Sequence, residues 1–334
     1  MSYYLGIDTS AYTTSAALVD KQLRVLVDER LAIHVKKGSR GLRQSEALFH
    51  HLKNLPLLFD RIFSEPSYRQ VAAIAVSAFP RRIPGSYMPV FNAGISQAKV
   101  LSALLGVPLY HVSHQEGHIM AGLKSNPDLM NLGEFLAVHF SGGTSEIVLA
   151  EWSPTRLLNI TPRLQGKDLH AGQLIDRVGV AMGLPFPAGR AMEELALNAK
   201  QRNLRIPASV DERGFSFSGA ETRALKMWNQ GETPAEIAFA LFRTVANTLE
   251  KAILQQAKLN RIKKVLLIGG VMANSLVKTR LKERLEHKAV GINLYFAHPN
   301  LSTDNAVGVA LLGKCLNRVG IGEPALSLLP DDSR

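Results

Sequence analysis

Phe135-Leu136-Ala137-Val138-His139-Phe140-Ser141-Gly142-Gly143-Thr144 contains the strongest indication of the fold, because the chain opens with the same pattern. In both places an apolar strand enters a turn of small and hydroxyl residues, and a second strand returns. The first hairpin spans residues 3–19, and the second returns over 146–151. Parallel βαβ units do not contain such tight hairpins. The repetition therefore predicts a duplicated α/β fold, with ligands bound in the cleft where the strand ends face each other.

The two halves predict two lobes. We expect an N-terminal lobe over residues 1–132 and a C-terminal lobe over 133–305. The final helix, within 306–334, is expected to return and pack on the first lobe. A single doubly wound domain is the alternative, and it accounts poorly for the second hairpin.

The composition indicates a globular protein without disulfide bonds. The chain has 334 residues, of which 46% are hydrophobic, enough to bury a large core. Its one cysteine, Cys315, excludes a disulfide framework. We find no basic signal region at the N-terminus and no apolar run of membrane-spanning length. The expectation is a cytoplasmic protein without a membrane partner.

The chain is strongly basic, with a net charge of +11 and an isoelectric point of about 9.8. This balance suits a polyanionic partner such as RNA or DNA, although simple solubility would also explain it. The basic residues form short clusters, such as Arg81-Arg82, and no long charge block.

His114 and His118 are candidate metal ligands. On a helix, residues four apart share a face with Cβ atoms about 5–6 Å apart, so two imidazoles can bind one ion. A solvated pair on a helix surface is the alternative. Zinc metalloproteases place glutamate directly after the first histidine. Here Glu116 comes two residues after it and is expected to point away, which disfavours protease chemistry.

A carboxylate near the end of the chain, Asp304, could complete the metal site. It lies at the predicted N-terminus of the final helix, so on the residues alone an ordinary helix N-cap is favoured over a metal ligand. Asp8, at the end of the first strand, is the candidate catalytic residue, because it could orient a metal-bound water. It could also simply cap the first turn.

Glycine turns and polar residues of the second half could bind a nucleotide. Backbone amides in Ser141-Gly142-Gly143 can approach an anion closely, or the segment is only a hairpin turn. Asn274 follows a glycine pair after a strand and could hydrogen-bond a base or ribose. Asp176 could instead form a surface ion pair with Arg177. Gly189 follows an irregular turn predicted over residues 185–188.

Taken in order, these motifs resemble the TsaD family of tRNA threonylcarbamoyltransferases, once called glycoproteases. The resemblance covers almost the whole chain. The matching segments are Gly6-Ile7-Asp8-Thr9-Ser10, His114-Gln115-Glu116-Gly117-His118, Ser141-Gly142-Gly143-Thr144, Ile175-Asp176-Arg177 through Gly189, Phe215-Ser216-Phe217-Ser218-Gly219, Gly269-Gly270-Val271-Met272-Ala273-Asn274 and Thr303-Asp304-Asn305.

The resemblance implies an actin-like, sugar-kinase-like (ASKHA) fold with two lobes around a nucleotide-binding cleft. It implies a divalent iron or zinc ion and an adenine nucleotide, either ATP or threonylcarbamoyl-AMP. The implied metal ligands are His114, His118 and Asp304. The implied nucleotide or substrate residues are Ser141, Gly142, Gly143, Asp176, Gly189 and Asn274.

The implied reaction transfers a threonylcarbamoyl group from its adenylate to N6 of an adenosine in the tRNA anticodon loop. The implied partners are tRNA and the smaller proteins of the threonylcarbamoylation system.

The chain also departs from the family pattern. Ala11-Tyr12-Thr13-Thr14 replaces an acidic C-D-E-T, Gln173 replaces a carboxylate, and residues 77–82 replace a glycine-proline turn. These changes indicate a diverged paralogue. They favour, as the alternative function, a non-catalytic scaffold that binds nucleotide or RNA.

Overall fold

Two five-stranded sheets share one arrangement of strands. The computed structural model describes residues 2–10, 12–35, 42–131, 133–153 and 157–319. In the first sheet β2 pairs antiparallel with β1 and β3, whereas β4 and β5 run parallel to β1. The order is β3-β2-β1-β4-β5. These strands are β1 (Tyr3–Asp8), β2 (Thr13–Asp20), β3 (Val25–Ala32), β4 (Val71–Phe79) and β5 (Leu109–Ser113).

The second sheet repeats this arrangement, with the order β12-β11-β6-β7-β8. Its first three strands form antiparallel hairpins, and β11 and β12 run parallel to β6. The duplicated α/β fold is thereby confirmed. The strands of this half are β6 (Glu134–Phe140), β7 (Ser145–Ser153), β8 (Leu157–Gln165), the small hairpin β9 (Ser209–Asp211) and β10 (Gly214–Ser216), β11 (Lys264–Ile268) and β12 (Asn293–Phe296).

Helices cover both sheets and fill the space between them. In the described residues they are α1 (Gln44–Phe63), α2 (Asn92–Leu105), α3 (His114–Ser125), α4 (Ala171–Ala181), α5 (Gly189–Leu197), α6 (Ser218–Asn229), α7 (Pro234–Asn260), α8 (Ser275–Leu285), α9 (Pro299–Ser302) and α10 (Val307–Val319). None of them is long and apolar enough to cross a membrane.

Strand alternation divides the core into three clusters. Leu5 and Ile7 of β1 pack outward under α1 and α2, whereas Tyr4 points inward to a central cluster. On β6, Phe135 joins the same central cluster, and Leu136 faces outward into the cluster of the second half. The helices of the central cluster are α3 and α10, so these two helices connect the sheets.

Glycines allow α3 and α10 to approach at backbone distance. A Cβ atom on Gly308 of α10 would lie 1.8 Å from the carbonyl oxygen of Gly117 in α3. A Cβ atom on Gly6 of β1 would lie 2.4 Å from the oxygen of Ala306. Only residues without side chains permit these contacts. They bring the start of α3 and the segment before α10 to the same place.

The final helix packs against β1 and β4 of the first sheet, and it ends at Val319. The rest of the predicted helix, residues 320–334, lies outside the described residues, as does residue 132, where we placed the lobe boundary. The division into lobes at this position stays a proposal.

Candidate metal and nucleotide site

The start of α3 holds the two metal-ligand candidates in position. Ser113 caps the helix: its hydroxyl accepts a hydrogen bond from the Glu116 amide at 3.1 Å, and its own amide donates to the Glu116 carboxylate at 2.6 Å. The same carboxylate pairs with Arg82 at 3.0 and 3.1 Å. Glu116 therefore stabilises the helix start and does not face the histidine pair.

His114, His118 and Asp304 converge on one point. The two histidine Nε2 atoms lie 3.0 Å apart. The Asp304 Oδ1 atom lies 3.4 Å from His118 Nε2 and 3.7 Å from His114 Nε2. Bonds of about 2.0–2.1 Å to a tetrahedral ion separate its ligand atoms by about 3.3–3.4 Å. Two imidazoles and one carboxylate at these distances fit a single divalent ion.

Asp304 is not the helix cap that the sequence also allowed. The final helix begins at Val307, later than predicted, and Asn305 caps it by accepting hydrogen bonds from the amides of Val307 and Gly308. Arg30 of β3 holds the preceding segment by donating to the Asn300 carbonyl at 2.7 Å and the Thr303 hydroxyl at 3.1 Å. The Asp304 carboxylate is therefore free to face the histidines.

Asp8 lies behind His114. Its carboxylate is buried, with Oδ2 at 2.9 Å from His114 Nδ1, so the other ring nitrogen faces the metal position. Burial disfavours the charged imidazole, but the Asp8 charge and hydrogen bond outweigh it and raise the pKa of His114 to about 9. Burial, together with the neighbouring His114 charge, lowers the pKa of His118. A carboxylate behind a ligating histidine orients that histidine and makes it a stronger ligand.

Two of the metal candidates, His114 and Asp304, and the second glycine turn border one cavity of about 460 Å³. A Cβ atom added to Gly142 or Gly143 would meet nothing within 4 Å, so their backbone is accessible to a ligand. Gly172, in the first turn of α4, packs so closely that a Cβ atom there would lie 2.6 Å from the Gly142 nitrogen. The positive end of the α4 dipole thus adjoins the turn.

Asp176 lies in α4, beside a smaller cavity that it shares with Tyr12, Gly142 and Phe186. It accepts a hydrogen bond from the Ala188 amide at 2.7 Å, and burial raises the pKa of its carboxyl group. Arg177 pairs with Glu221 at 3.3 Å, so the surface ion pair offered as the alternative does not form.

Gly189 and Asn274 lie at the starts of two neighbouring helices. Gly189 is the first residue of α5 and follows irregular backbone over residues 185–188, as predicted. The Asn274 side chain caps α8 through its oxygen, while its buried Nδ2 has no partner among the described residues. Glu193 of α5 accepts from the Ser275 amide at 2.7 Å and links the two helices. Neither Gly189 nor Asn274 is among the described residues that line the large cavity.

The large cavity is also lined by residues that were not predicted as site residues from the sequence. His139 of β6 has its ring centroid 4.4 Å from that of His118. Glu146 of β7 pairs with Arg81 at 2.9 Å. Strand alternation was the available signal for His139, because it shares a strand face with Phe135 of the central cluster.

Solved structures with the same architecture define the fold class. HypF from T. kodakarensis superimposes with a TM-score of 0.57 at 15% identity, over 95% of this chain and 48% of that one. A ROK family glucokinase from Streptomyces griseus gives 0.53 at 12% identity, over 93% and 99% of the two chains. The chain therefore has the actin-like, sugar-kinase-like fold.

Sequence relatives define the family. The family model described as tRNA N6-adenosine threonylcarbamoyltransferase, TsaD, matches residues 24–311. Proteins of that name from Thermus thermophilus and Kosmotoga olearia are each 33% identical to this chain. The first covers 98% of this chain and 96% of its own length, and the second 96% and 95%. The chain belongs to the TsaD family.

Proposed function

We propose that this protein transfers a threonylcarbamoyl group from threonylcarbamoyl-AMP to N6 of an adenosine in the tRNA anticodon loop. The observation that carries the proposal is the convergence of His114, His118 and Asp304 within 3.7 Å. His114 and Asp304 border the cavity that the Ser141 turn also lines. The names of the sequence relatives support the same reaction.

In this proposal His114, His118 and Asp304 hold one iron or zinc ion. A bound ion would supply positive charge to the phosphate of the mixed anhydride as AMP leaves. Asp8 keeps the Nε2 atom of His114 directed at the ion position through the 2.9 Å contact with Nδ1. We therefore describe Asp8 as a positioning residue, not one that reacts with substrate.

The nucleotide would occupy the second half of the site. The open space around Gly142 and Gly143, beside the positive end of α4, suits the phosphate. The Ser141 amide already donates within the turn, to the Thr144 carbonyl at 2.8 Å. The Asp176 carboxylate and the unpartnered Asn274 amide suit the hydroxyl and base groups of the nucleoside, with Gly189 leaving room at the start of α5.

In the transfer step the N6 amine attacks the carbamoyl carbon, so a new C–N bond forms while the bond from that carbon to the phosphate oxygen breaks. AMP carries away the electron pair, and the amine loses one proton to water. The reacting base must leave the stacked anticodon loop to enter the cavity. The net charge of +11 favours binding of the tRNA backbone.

One observation favours the alternative, a non-catalytic nucleotide- or RNA-binding scaffold. Tyr12 stands where the family has an acid, and its ring contacts Phe186 of the second half edge-to-face at 5.7 Å between centroids. This contact lies beside the nucleotide pocket. It could keep the acceptor base out while leaving nucleotide binding intact.

Reconstitution with tRNA, ATP, threonine, bicarbonate, a purified threonylcarbamoyl-AMP synthase and the smaller partner proteins tests the proposal. We expect modified tRNA from the wild type, and at least about a hundredfold less from His114→Ala/His118→Ala, which would also lose its bound metal. His287→Ala, at an exposed histidine, is the matched control. Unmodified tRNA at saturating wild-type protein, with nucleotide still bound, would favour the scaffold.

A further inference from the structure

A buried histidine in the cavity wall lacks hydrogen-bonding partners. His139 is 3% exposed, and neither of its ring nitrogens has a partner among the described residues. It borders the large cavity. Buried polar groups without partners are rare and costly, so one that faces a cavity indicates a ligand group beside it.

Arg81 supplies a cation to the same cavity. It follows the end of β4 and crosses to the second sheet, where its Nε atom lies 2.9 Å from a Glu146 oxygen. The other Glu146 oxygen accepts from Gln115 Nε2 at 2.6 Å. A guanidinium has five N–H donors. The contact with Glu146 is made through Nε, and no hydrogen bond is found from the terminal nitrogens of Arg81 to another described residue.

The donor molecule of the proposed reaction has two acidic groups. The turn that contains Ser141 suits its phosphate, because Gly142 and Gly143 have open space around them. Its threonyl carboxylate needs a second, separate partner. The free edge of a guanidinium binds a carboxylate through two parallel hydrogen bonds, which is the strongest form of this contact.

We propose that Arg81 and His139 form a carboxylate subsite for the acyl donor. The terminal nitrogens of Arg81 bind the carboxylate, and His139 hydrogen-bonds a neighbouring polar group of the same acyl moiety. Glu146 and Gln115 hold the guanidinium in place. The subsite rests on the proposed transferase function, because that function supplies the acidic acyl group. Arg81 lies in the segment that replaces the glycine-proline turn of the family, so the subsite is a feature of this chain.

Calorimetric titration of the full chain with a non-hydrolysable threonylcarbamoyl-adenylate analogue, and with its carboxamide counterpart, tests the subsite. We expect the carboxylate form to bind the wild type about tenfold more tightly. Arg81→Gln should reduce this ratio to about one. Arg82→Gln is the matched control, because Arg82 pairs with Glu116 and does not border the large cavity. It should keep the tenfold ratio.

Two further variants separate binding from support of the fold. Arg81→Gln/Glu146→Gln removes both charges of the ion pair, so no buried carboxylate is left unpaired, and we again expect a ratio of about one. His139→Leu should weaken both analogues about fivefold and leave AMP affinity unchanged. A tenfold preference that persists in the double variant would overturn the subsite.

AMP binding distinguishes failure of the subsite from failure of the proposed function. Equal affinities for the two analogues, with AMP still bound by the wild type, overturn the subsite alone. If the wild type does not bind AMP, the proposed nucleotide site, and with it the proposed function, is contradicted. N-carbamoyl-L-threonine and its amide then replace the analogues, and the absence of a preference for the acid would overturn the subsite as well.

Discussion

The turn after β1 and the turn after β6 occupy matching positions in the two sheets but differ in accessibility. In the first turn Asp8, Thr9 and Ser10 are buried, and the Thr9 hydroxyl donates to the Val90 carbonyl and accepts from the Gly94 amide. In the second turn Gly142 and Gly143 have open space around them. The two turns therefore have matching backbone positions but different side chains. The first turn supports the metal ligand candidate His114, and the second is open to a ligand.

The covering helices explain this difference. The start of α2 closes over the first turn, where a Cβ atom on Gly94 would lie 3.0 Å from the Thr9 hydroxyl oxygen. At the second turn α4 packs from one side only, through Gly172. We expect substitutions at the first turn to act through the metal site, and substitutions at the second to act through the nucleotide.

The largest effect is expected where α3 and α10 hold the two halves together. Gly308→Ala puts a Cβ atom 1.8 Å from the Gly117 oxygen, so the helices must separate. We expect a loss of about 3 kcal/mol or more in the free energy of unfolding, measured with urea. Gly143→Ala, in open space, should change it by less than about 0.5 kcal/mol. Equal stability of the two variants would contradict the close helix contact.

An intermediate effect is expected at the first turn. Asp8→Asn keeps the size of the side chain but removes the charge that orients His114. We expect metal affinity to fall about 10–100-fold, measured by competition with a chelator. Ser141→Ala, in the second turn, should leave metal affinity unchanged. If Asp8→Asn and Ser141→Ala lost metal affinity equally, the first turn would not be the specific support of the metal site.

The smallest effect concerns Asp168, which supports the segment leading into α4. It accepts hydrogen bonds from the hydroxyls of Ser216 and Ser218 and from the Phe217 amide. Burial opposes the charged form, but these hydrogen bonds outweigh it and hold the pKa of its carboxyl group well below its usual value.

Because the folded pKa of Asp168 is depressed, its contribution to stability is present above the unfolded pKa of about 3.9 and is lost as pH falls below it. For this exposed group we expect Asp168→Asn to cost about 1 kcal/mol at pH 6 and less at pH 3, measured by urea unfolding. If the difference in unfolding free energy between Asp168→Asn and the wild type increased at lower pH, the charged form of Asp168 would not be the stabilising one.

Local pattern was sufficient for the most regular elements. The hairpin predicted over residues 3–19 is formed by β1 and β2, and the return strand predicted over 146–151 lies within β7. The edge strand β8 was not predicted, because Pro162 lies within it, and edge strands tolerate proline. The irregular turn predicted over residues 185–188 does precede α5.

The candidate site was only partly predictable. Spacing alone placed His114 and His118 on one face of a helix, and their contact in the structure is 3.0 Å. Whether Asp304 caps a helix or faces the histidines depended on where α10 begins and on Arg30, 274 residues earlier in the chain. The lack of hydrogen-bond partners around the His139 ring, among the described residues, depends on all the elements that surround it. No local sequence pattern could predict it.

The sequence by itself determined the repeated hairpins, the helical histidine pair and the family, because these depend on residue types at short spacing. The family resemblance implied that Asp304 meets those histidines, but the residues alone left a helix cap open, and the tertiary structure decided between the two. Only the tertiary structure decided that Arg81 and His139 border the same cavity. The physical reason is that Asp304 meets the histidines only where β1, α3 and α10 approach at backbone distance, and at Gly6 and Gly308 a Cβ atom would clash with the neighbouring backbone. Such an approach is a property of packing between distant segments.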